Sequence, residues 1–157
     1  MTAGAVTVRA AAGRDREAFL AMWQAFVATA PGEPGHPGMG EANWRRIGAQ
    51  SLSCIVAVDA ADRPLGFTLF LAFPFTWSRG DVCYLQDIFV DATARGRGVG
   101  RAMIEHLSEL GRAAGWFKIF WMTQPDNVAA QRLYDRVAER MDYLRYDLTL
   151  DAPQTPG

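Results

Sequence analysis

One succession of segments constrains the fold most. It consists of a strand-like run, a turn rich in glycine and arginine, and a long amphipathic helix. Val82 to Val90 is rich in β-branched and aromatic residues, as strands are. Arg95 to Arg101 reads RGRGVGR. Apolar residues then recur at helical spacing from Val99 to Leu110. The pattern predicts a strand that leads into a helix through a turn that needs glycine.

Other periodic runs lie on both sides of this unit. They predict strands at 6–9, 52–58, 65–75, 116–123 and 143–150, and helices at 14–28, 41–47 and 127–138. The order indicates one α/β (α+β) domain over residues 1–150, with a mixed central sheet of about six to seven strands flanked by about four helices. Residues 151–157, which include two prolines, are expected to form a flexible tail.

The composition excludes several classes of protein. The chain has 16 Lys and Arg residues and 17 Asp and Glu residues, so its net charge is −1. We therefore expect no nucleic-acid partner of the kind that binds through a positive net charge. Cys54 and Cys83 lie in apolar strand-like runs, which predicts buried, reduced thiols. With only two histidines, no metal site is expected. The longest apolar stretch, Gly66 to Phe75, is too short for a bilayer, so we expect a cytoplasmic protein without a membrane partner.

The turn between the strand and the long helix is the best candidate for a binding site. Free N–H groups at a helix start, together with the helix dipole, attract a phosphate or pyrophosphate. Arg95, Arg97 and Arg101 add positive charge at the same end. The turn lacks the Lys-Ser/Thr ending of a P-loop, and the sixth position from Gly96 is not the glycine of the dinucleotide fingerprint. The simpler alternative is a glycine turn with solvated arginines.

Two motifs give the chain a resemblance to a known family. Arg95, Gly98 and Gly100 match R-x-x-G-x-G, which resembles the acyl-CoA pyrophosphate loop of the GCN5-related N-acetyltransferase family. Downstream, Asn127 and Tyr134 match that family's Asn-x-x-Ala-x-x-x-Tyr helix start, and the order of elements agrees over roughly residues 52 to 150. The resemblance implies an enzyme that moves an acetyl group from acetyl-CoA to a primary amine, most simply that of a small molecule.

The resemblance also implies which residues hold the cosubstrate. They lie on the strand, on the turn and on the later helix: Ile88, Phe89, Val90, Arg95, Gly96, Arg97, Gly98, Val99, Gly100, Arg101, Asn127 and Tyr134. The backbone of the three strand residues is expected to pair with the pantetheine arm, provided that the neighbouring strand splays away.

The implied reaction requires two proton transfers. An alkyl ammonium with a pKa of ~10.4 must lose a proton before it attacks the thioester. The leaving thiolate must gain one, and Tyr134 is the candidate acid. For the base the family often has a glutamate where this chain has Gln86, which takes no proton at neutral pH. Asp87 is the candidate base if a bulge turns it, Gln86 is a substrate or water contact, and a water relay is the alternative.

The first half of the chain is expected to build the acceptor site. The candidates are His36 in a Pro/Gly-rich loop, the helix residues Trp23 and Phe26, and Trp77 in a turn. Aromatic rings would suit a cationic amine, whereas the simpler interpretation of the two helix residues is core packing. Two other functions stay open: a non-catalytic acyl-CoA-binding or regulatory module, and an enzyme that acetylates protein N-termini or lysines. The resemblance also makes a homodimer possible.

Overall fold

The computed structural model describes residues 5–29 and 37–150 of the chain. The candidate residue His36 and the expected tail at 151–157 lie outside the described residues. The strands are β1 (Thr7–Ala10), β2 (Ser53–Val58), β3 (Pro64–Phe73), β4 (Val82–Val90) and β5 (Lys118–Phe120), and the helices are α1 (Arg16–Thr29), α2 (Met39–Gly48), α3 (Val99–Ala114) and α4 (Val128–Val137).

The strands form one mixed sheet in the order β1-β2-β3-β4-β5. The first three pairings are antiparallel, and β4 pairs with β5 in parallel. The parallel pairing follows from α3, which lies between these two strands in the chain and carries it back to the starting end of the sheet. The mixed α/β architecture with four α-helices is as predicted.

Two predictions about strands are wrong. The described residues form a sheet of five strands, where six to seven were expected. The strand expected at 143–150 is absent, since residues 139–150 have no regular secondary structure. Alternating apolar residues show that a segment suits a half-buried strand, but a strand also needs a neighbour for its backbone hydrogen bonds, and the sequence pattern does not supply one.

Two compact units make up the chain, Met1–Gln124 and Pro125–Gly157. In the first, the sheet is covered on both faces. Phe19 of α1 is fully buried, and its ring lies 5.1 Å from the ring of Phe67 on β3. The next residue, Thr68, points to the opposite face, where its hydroxyl lies 3.4 Å from the sulfur of Met103 on α3.

An ion-pair network fastens the first strand. The Arg9 guanidinium contacts the Asp15 carboxylate at 2.7 Å and the Asp62 carboxylate at 2.9 Å. Asp15 is only 2% exposed. Burial raises the pKa of Asp15, but hydrogen bonds from Arg9 and from the Ala12 N–H outweigh burial and lower the pKa overall. The network therefore joins β1, the turn before α1 and the β2–β3 connection.

The second unit contains α4. The helix begins where the Asn127 side-chain oxygen accepts a hydrogen bond from the Ala130 N–H at 3.3 Å. The Gln131 amide donates to the Pro125 carbonyl at 2.9 Å, which fastens the segment just before the helix. The helix matches the predicted run at 127–138 within one residue at each end.

The cysteines agree with the sequence prediction. Cys54 and Cys83 are both free and buried. Burial raises the pKa of each thiol to about 12, so both are protonated at neutral pH. Among residues 5–29 and 37–150, no helix is both long enough and apolar enough to cross a membrane.

Candidate active site

A bulge in β4 sets the direction of the candidate base. On the antiparallel ladder, Leu69 pairs with Asp87, but the next residue, Phe70, pairs with Leu85. Gln86 is therefore the extra residue of a β-bulge. The bulge puts Asp87 on the face of Leu69 and leaves Gln86 exposed. Asp87 was predicted to be the base only if a bulge turned its side chain, and β4 contains such a bulge.

The surroundings of Asp87 are apolar. Its partner Leu69 belongs to the buried cluster that also contains Phe67 and Phe89. Asp87 is half-buried, and burial raises the pKa of its carboxyl group. The carboxylate makes no hydrogen bond or ion pair with any other described residue. A carboxylate with a raised pKa and no partner suits proton transfer.

The end of β4 has an open side. Its parallel ladder with β5 runs from Val82 to the pair Tyr84–Phe120 and stops there, while β4 itself continues to Val90. On its other side β4 stays paired with β3 as far as Val90. Within the described part of the chain, the backbone of Ile88, Phe89 and Val90 thus has no strand partner on the β5 side. The β4–β5 ladder thus ends before the three residues that the pantetheine hypothesis uses.

The turn after β4 depends on two glycines. Gly96 has φ +75° and Gly98 has φ +78°, a left-handed backbone that favours glycine. A Cβ atom would meet no other atom within 4 Å at either position, so the dihedral angle and not space is what requires glycine.

The start of α3 lacks the usual capping group. Gly98 is its N-cap, no side chain accepts a hydrogen bond from its first turn, and that turn contains no acidic residue. By contrast, Asp91 caps the short helix before it and Asn127 caps α4. The first N–H groups of α3 remain available to an anion, with the positive end of the helix dipole behind them.

The three arginines of the turn differ in their contacts. Arg95 donates from Nε to the Val90 carbonyl at 3.2 Å, which ties the turn to the end of β4. Arg101 forms a 2.7 Å ion pair with Glu105 one helical turn further on. Arg97 has no partner among the described residues. The motif treats the three alike, but of the three only Arg97 lacks a hydrogen bond or ion pair with another described residue.

The second motif lies in the second unit. Asn127 and Tyr134 are about two turns apart on α4 and share a face. Tyr134 is half-buried, and burial raises the pKa of its hydroxyl. The resemblance assigns Asn127 to the cosubstrate, and its role as the cap of its own helix was not predicted. The preference for Asn at N-caps was the available signal.

The aromatic candidates of the first half are divided between core and surface. The rings of Phe26 and Phe89 lie 6.0 Å apart, and Trp23 lies 6.2 Å from Phe67. Both helix residues are partly buried against the core cluster, in agreement with the simpler interpretation. Phe26 nevertheless contacts β4 only two residues from Asp87. Trp77 is 89% exposed in its turn.

The class of fold is clear from solved structures. A possible acetyltransferase from Clostridium difficile 630 aligns with a TM-score of 0.81 at 12% identity, covering 94% of this chain and 99% of that chain. A ribosomal-protein-alanine N-acetyltransferase from Brucella melitensis biovar Abortus 2308 gives 0.78 at 20% identity, covering 93% and 100%. At such identities the likeness shows an acetyltransferase fold and nothing finer.

The family follows from the sequence comparison. The model of the Acetyltransferase (GNAT) family matches residues 19–138, and the chain belongs to this family. A D-amino-acid N-acetyltransferase from Saccharomyces cerevisiae is 34% identical over 82 residues, 52% of this chain and 51% of that protein. A probable glucosamine 6-phosphate N-acetyltransferase from Oryza sativa subsp. japonica is 36% identical over 58 residues, 37% of this chain and 35% of that protein. The chain thus spans about half the length of these relatives at most.

Proposed function

We propose that this protein is an N-acetyltransferase that moves an acetyl group from acetyl-CoA to the primary amine of a small molecule. The observation that carries the proposal is Asp87, an unpartnered, half-buried carboxylate set by the bulge of β4 beside the open end of that strand. Family membership supports the reaction class. The similarity to a D-amino-acid N-acetyltransferase and to a probable glucosamine 6-phosphate N-acetyltransferase supports a small amine as the acceptor.

The residues after the bulge fit the donor. Acetyl-CoA supplies an acetyl group activated as a thioester, and it carries a pyrophosphate. The uncapped first turn of α3 and the cation of Arg97 suit that pyrophosphate. The backbone of Ile88 to Val90 has no strand partner on the β5 side, and it suits the amide groups of the pantetheine arm because both offer hydrogen-bond donors and acceptors. The Val90 carbonyl already accepts a hydrogen bond from Arg95. A strand N–H there can also polarise the thioester carbonyl.

Asp87 and Tyr134 take the two proton transfers in this proposal. Asp87 accepts the proton of the incoming ammonium, and its raised pKa makes it a stronger base than an exposed aspartate. Gln86, exposed in the bulge, contacts the substrate or an ordered water. Tyr134 donates to the leaving thiolate, and its raised pKa keeps the hydroxyl protonated at neutral pH.

The base is tested by the release of free CoA thiol from acetyl-CoA in the presence of a panel of amines. Asp87→Asn should lower kcat by 10²-fold or more, the usual contribution of a positioned base. Glu109→Gln removes an exposed carboxylate from α3 and is the matched control that should leave the rate unchanged. If Asp87→Asn retains the full rate, Asp87 is not the base and a water relay takes its place.

The acid is tested separately. Tyr134→Phe should lower kcat at least tenfold with little change in the affinity for CoA, since only the hydroxyl is lost. Tyr143→Phe, which removes a hydroxyl from a tyrosine that is 77% exposed, is the control. Full activity of Tyr134→Phe would eliminate the proposed acid.

The same assay separates the alternative functions. Tight CoA binding without product from any amine would indicate a non-catalytic acyl-CoA-binding module, which the glutamine at position 86 first suggested. Product formed only with peptide N-termini or lysine side chains would indicate a protein acetyltransferase. Turnover of free amino acids or amino sugars is the result that we expect.

A further inference from the structure

The candidate base shares its face of the sheet with an aromatic ring. Asp87 pairs with Leu69 and Tyr84 pairs with Leu71, so both side chains of β4 point to the face that carries Leu69. Leu69 and Leu71 are two residues apart on β3, which places Asp87 and Tyr84 about 7 Å from each other along the strand direction. Apart from the bulge residue Gln86, Tyr84 is the side chain that precedes Asp87 on this face.

Two neighbouring strands extend this ring into a flat surface. Phe120 of β5 is the sheet partner of Tyr84, and the two rings stack 5.0 Å apart with only 6° between their planes. The ring of Phe73 on β3 meets Phe120 edge-on at 6.4 Å. Phe73, Tyr84 and Phe120 all belong to the first unit, and they are called the aromatic platform from here on.

The aromatic platform is separate from the hydrophobic core. The buried cluster to which α1 contributes Phe19 also includes Phe67 of β3, but it includes no residue of the platform. Tyr84 and Phe120 are partly exposed, and Phe73 is 37% exposed. Rings that are held in place by one another and are not buried in a core offer apolar area to a further ring. The platform can therefore bind a ligand beside Asp87.

We propose that the aromatic platform binds an aromatic ring of the acceptor, so that the acceptors are amines joined to such a ring by a short carbon chain, as in arylalkylamines and aromatic amino acids. This inference rests on the proposed acetyl transfer and narrows its acceptor class. The Asp87 carboxylate attracts the ammonium group, and the platform begins about 7 Å away, a separation that suits a chain of two carbons. An amine without a ring leaves the platform in contact with water and gains nothing from its apolar area.

The test compares two primary amines that differ by a phenyl ring. Release of CoA thiol from acetyl-CoA is measured with 2-phenylethylamine and with ethylamine, and the ratio of their kcat/KM values should be at least about tenfold in favour of the aromatic amine. Phe120→Ala and Tyr84→Leu should each lower this ratio at least about fivefold, whereas Phe120→Tyr keeps a ring and should retain it. Phe117→Ala removes a ring that is 57% exposed and lies outside the platform, so it is the control that should leave the ratio unchanged.

The outcomes separate this inference from the proposed function. Equal kcat/KM values for the two amines would overturn the inference and leave the acetyl transfer intact. A preference for 2-phenylethylamine that both Phe120→Ala and Tyr84→Leu retain would also overturn it, because the ring would then bind elsewhere. If no amine of the panel releases CoA thiol, the proposed function fails and the inference fails with it. Both amines are measured on the same preparation, so a variant that folds only in part still gives a valid ratio.

Discussion

The left-handed glycine at the start of α3 allows a test that separates binding from stability. Gly98→Ala places a Cβ where no atom lies within 4 Å, so the substitution costs only conformational energy. An alanine at φ +78° costs about 1–2 kcal/mol, and the lower entropy of the unfolded chain offsets about 0.4–1 kcal/mol of that. A net loss of about 1 kcal/mol corresponds to a fall in Tm of about 2–4 °C for a chain of this size.

The same strain should weaken CoA binding. Alanine relieves its strain by leaving the left-handed region, which turns the following N–H groups of α3 away from an anion. Binding must then restore the strained form and loses up to about 1 kcal/mol, or about fivefold in affinity. Gly98→Asn should lose less folding stability and less CoA affinity than Gly98→Ala, because asparagine tolerates the left-handed backbone better than alanine does.

Gly115 provides the matched control. It ends α3 with φ +73° and also has no atom within 4 Å of a Cβ. Gly115→Ala should therefore lose the same stability in a urea titration and no affinity for CoA by calorimetry. Equal losses of CoA affinity in the two alanine variants would refute the reasoning, and so would a Gly98→Ala protein with wild-type stability and affinity.

Three further substitutions test the buried charges and the tightest contact between strands. Arg9→Gln leaves the buried Asp15 carboxylate without its cation and should cost about 3 kcal/mol. Since the lowered pKa of Asp15 gives stability that is present above its unfolded pKa and lost as pH falls, the deficit of this variant relative to the wild type should be largest at neutral pH and shrink in acid. Asp87→Asn should stabilise the fold at neutral pH and not below pH ~3.8, because a raised pKa penalises only the ionised form; equal stability changes at both pH values would contradict this. Gly66→Ala puts a Cβ 2.5 Å from the Phe89 carbonyl oxygen and should cost about 1–3 kcal/mol in urea, whereas an unchanged midpoint would show that β3 yields freely.

Local rules were enough for most of the fold. The apolar stripe of α3 predicted its buried face, and Val99, Met103 and Leu107 are at most 1% exposed. Gly115 ends the helix in the left-handed form that a glycine after a helix predicts. The predicted strand at 116–123 shrank to Lys118–Phe120, because strand ends depend on where the neighbouring strand stops, and that is not a local property.

Less of the candidate site than of the fold could be predicted from the sequence. Gly98 of R-x-x-G-x-G, together with Gly96 outside the fixed positions, gave the turn and its left-handed backbone, since few other residues adopt it. The bulge at Gln86 was not predictable, because it is a mismatch of register between β3 and β4, and register depends on packing across the whole pair. The direction of Asp87 follows from that mismatch. The pairing of Arg101 with Glu105 could have been read from its spacing of four on a helix.

The N-termini of α3 and α4 both carry a motif residue, but the two residues do different things. The resemblance assigns both Gly98 and Asn127 to the cosubstrate. At α4 the Asn127 oxygen already accepts a backbone N–H, so this helix start satisfies itself. At α3 no side chain does so, and the first N–H groups are left to water or to a bound anion. A glycine N-cap is less stable than Ser, Thr, Asp or Asn by only about a few tenths of a kcal/mol, so Gly98 leaves these donors open at little cost to folding. We therefore propose that the pyrophosphate binds at the start of α3 and that Asn127 supports the helix that carries Tyr134.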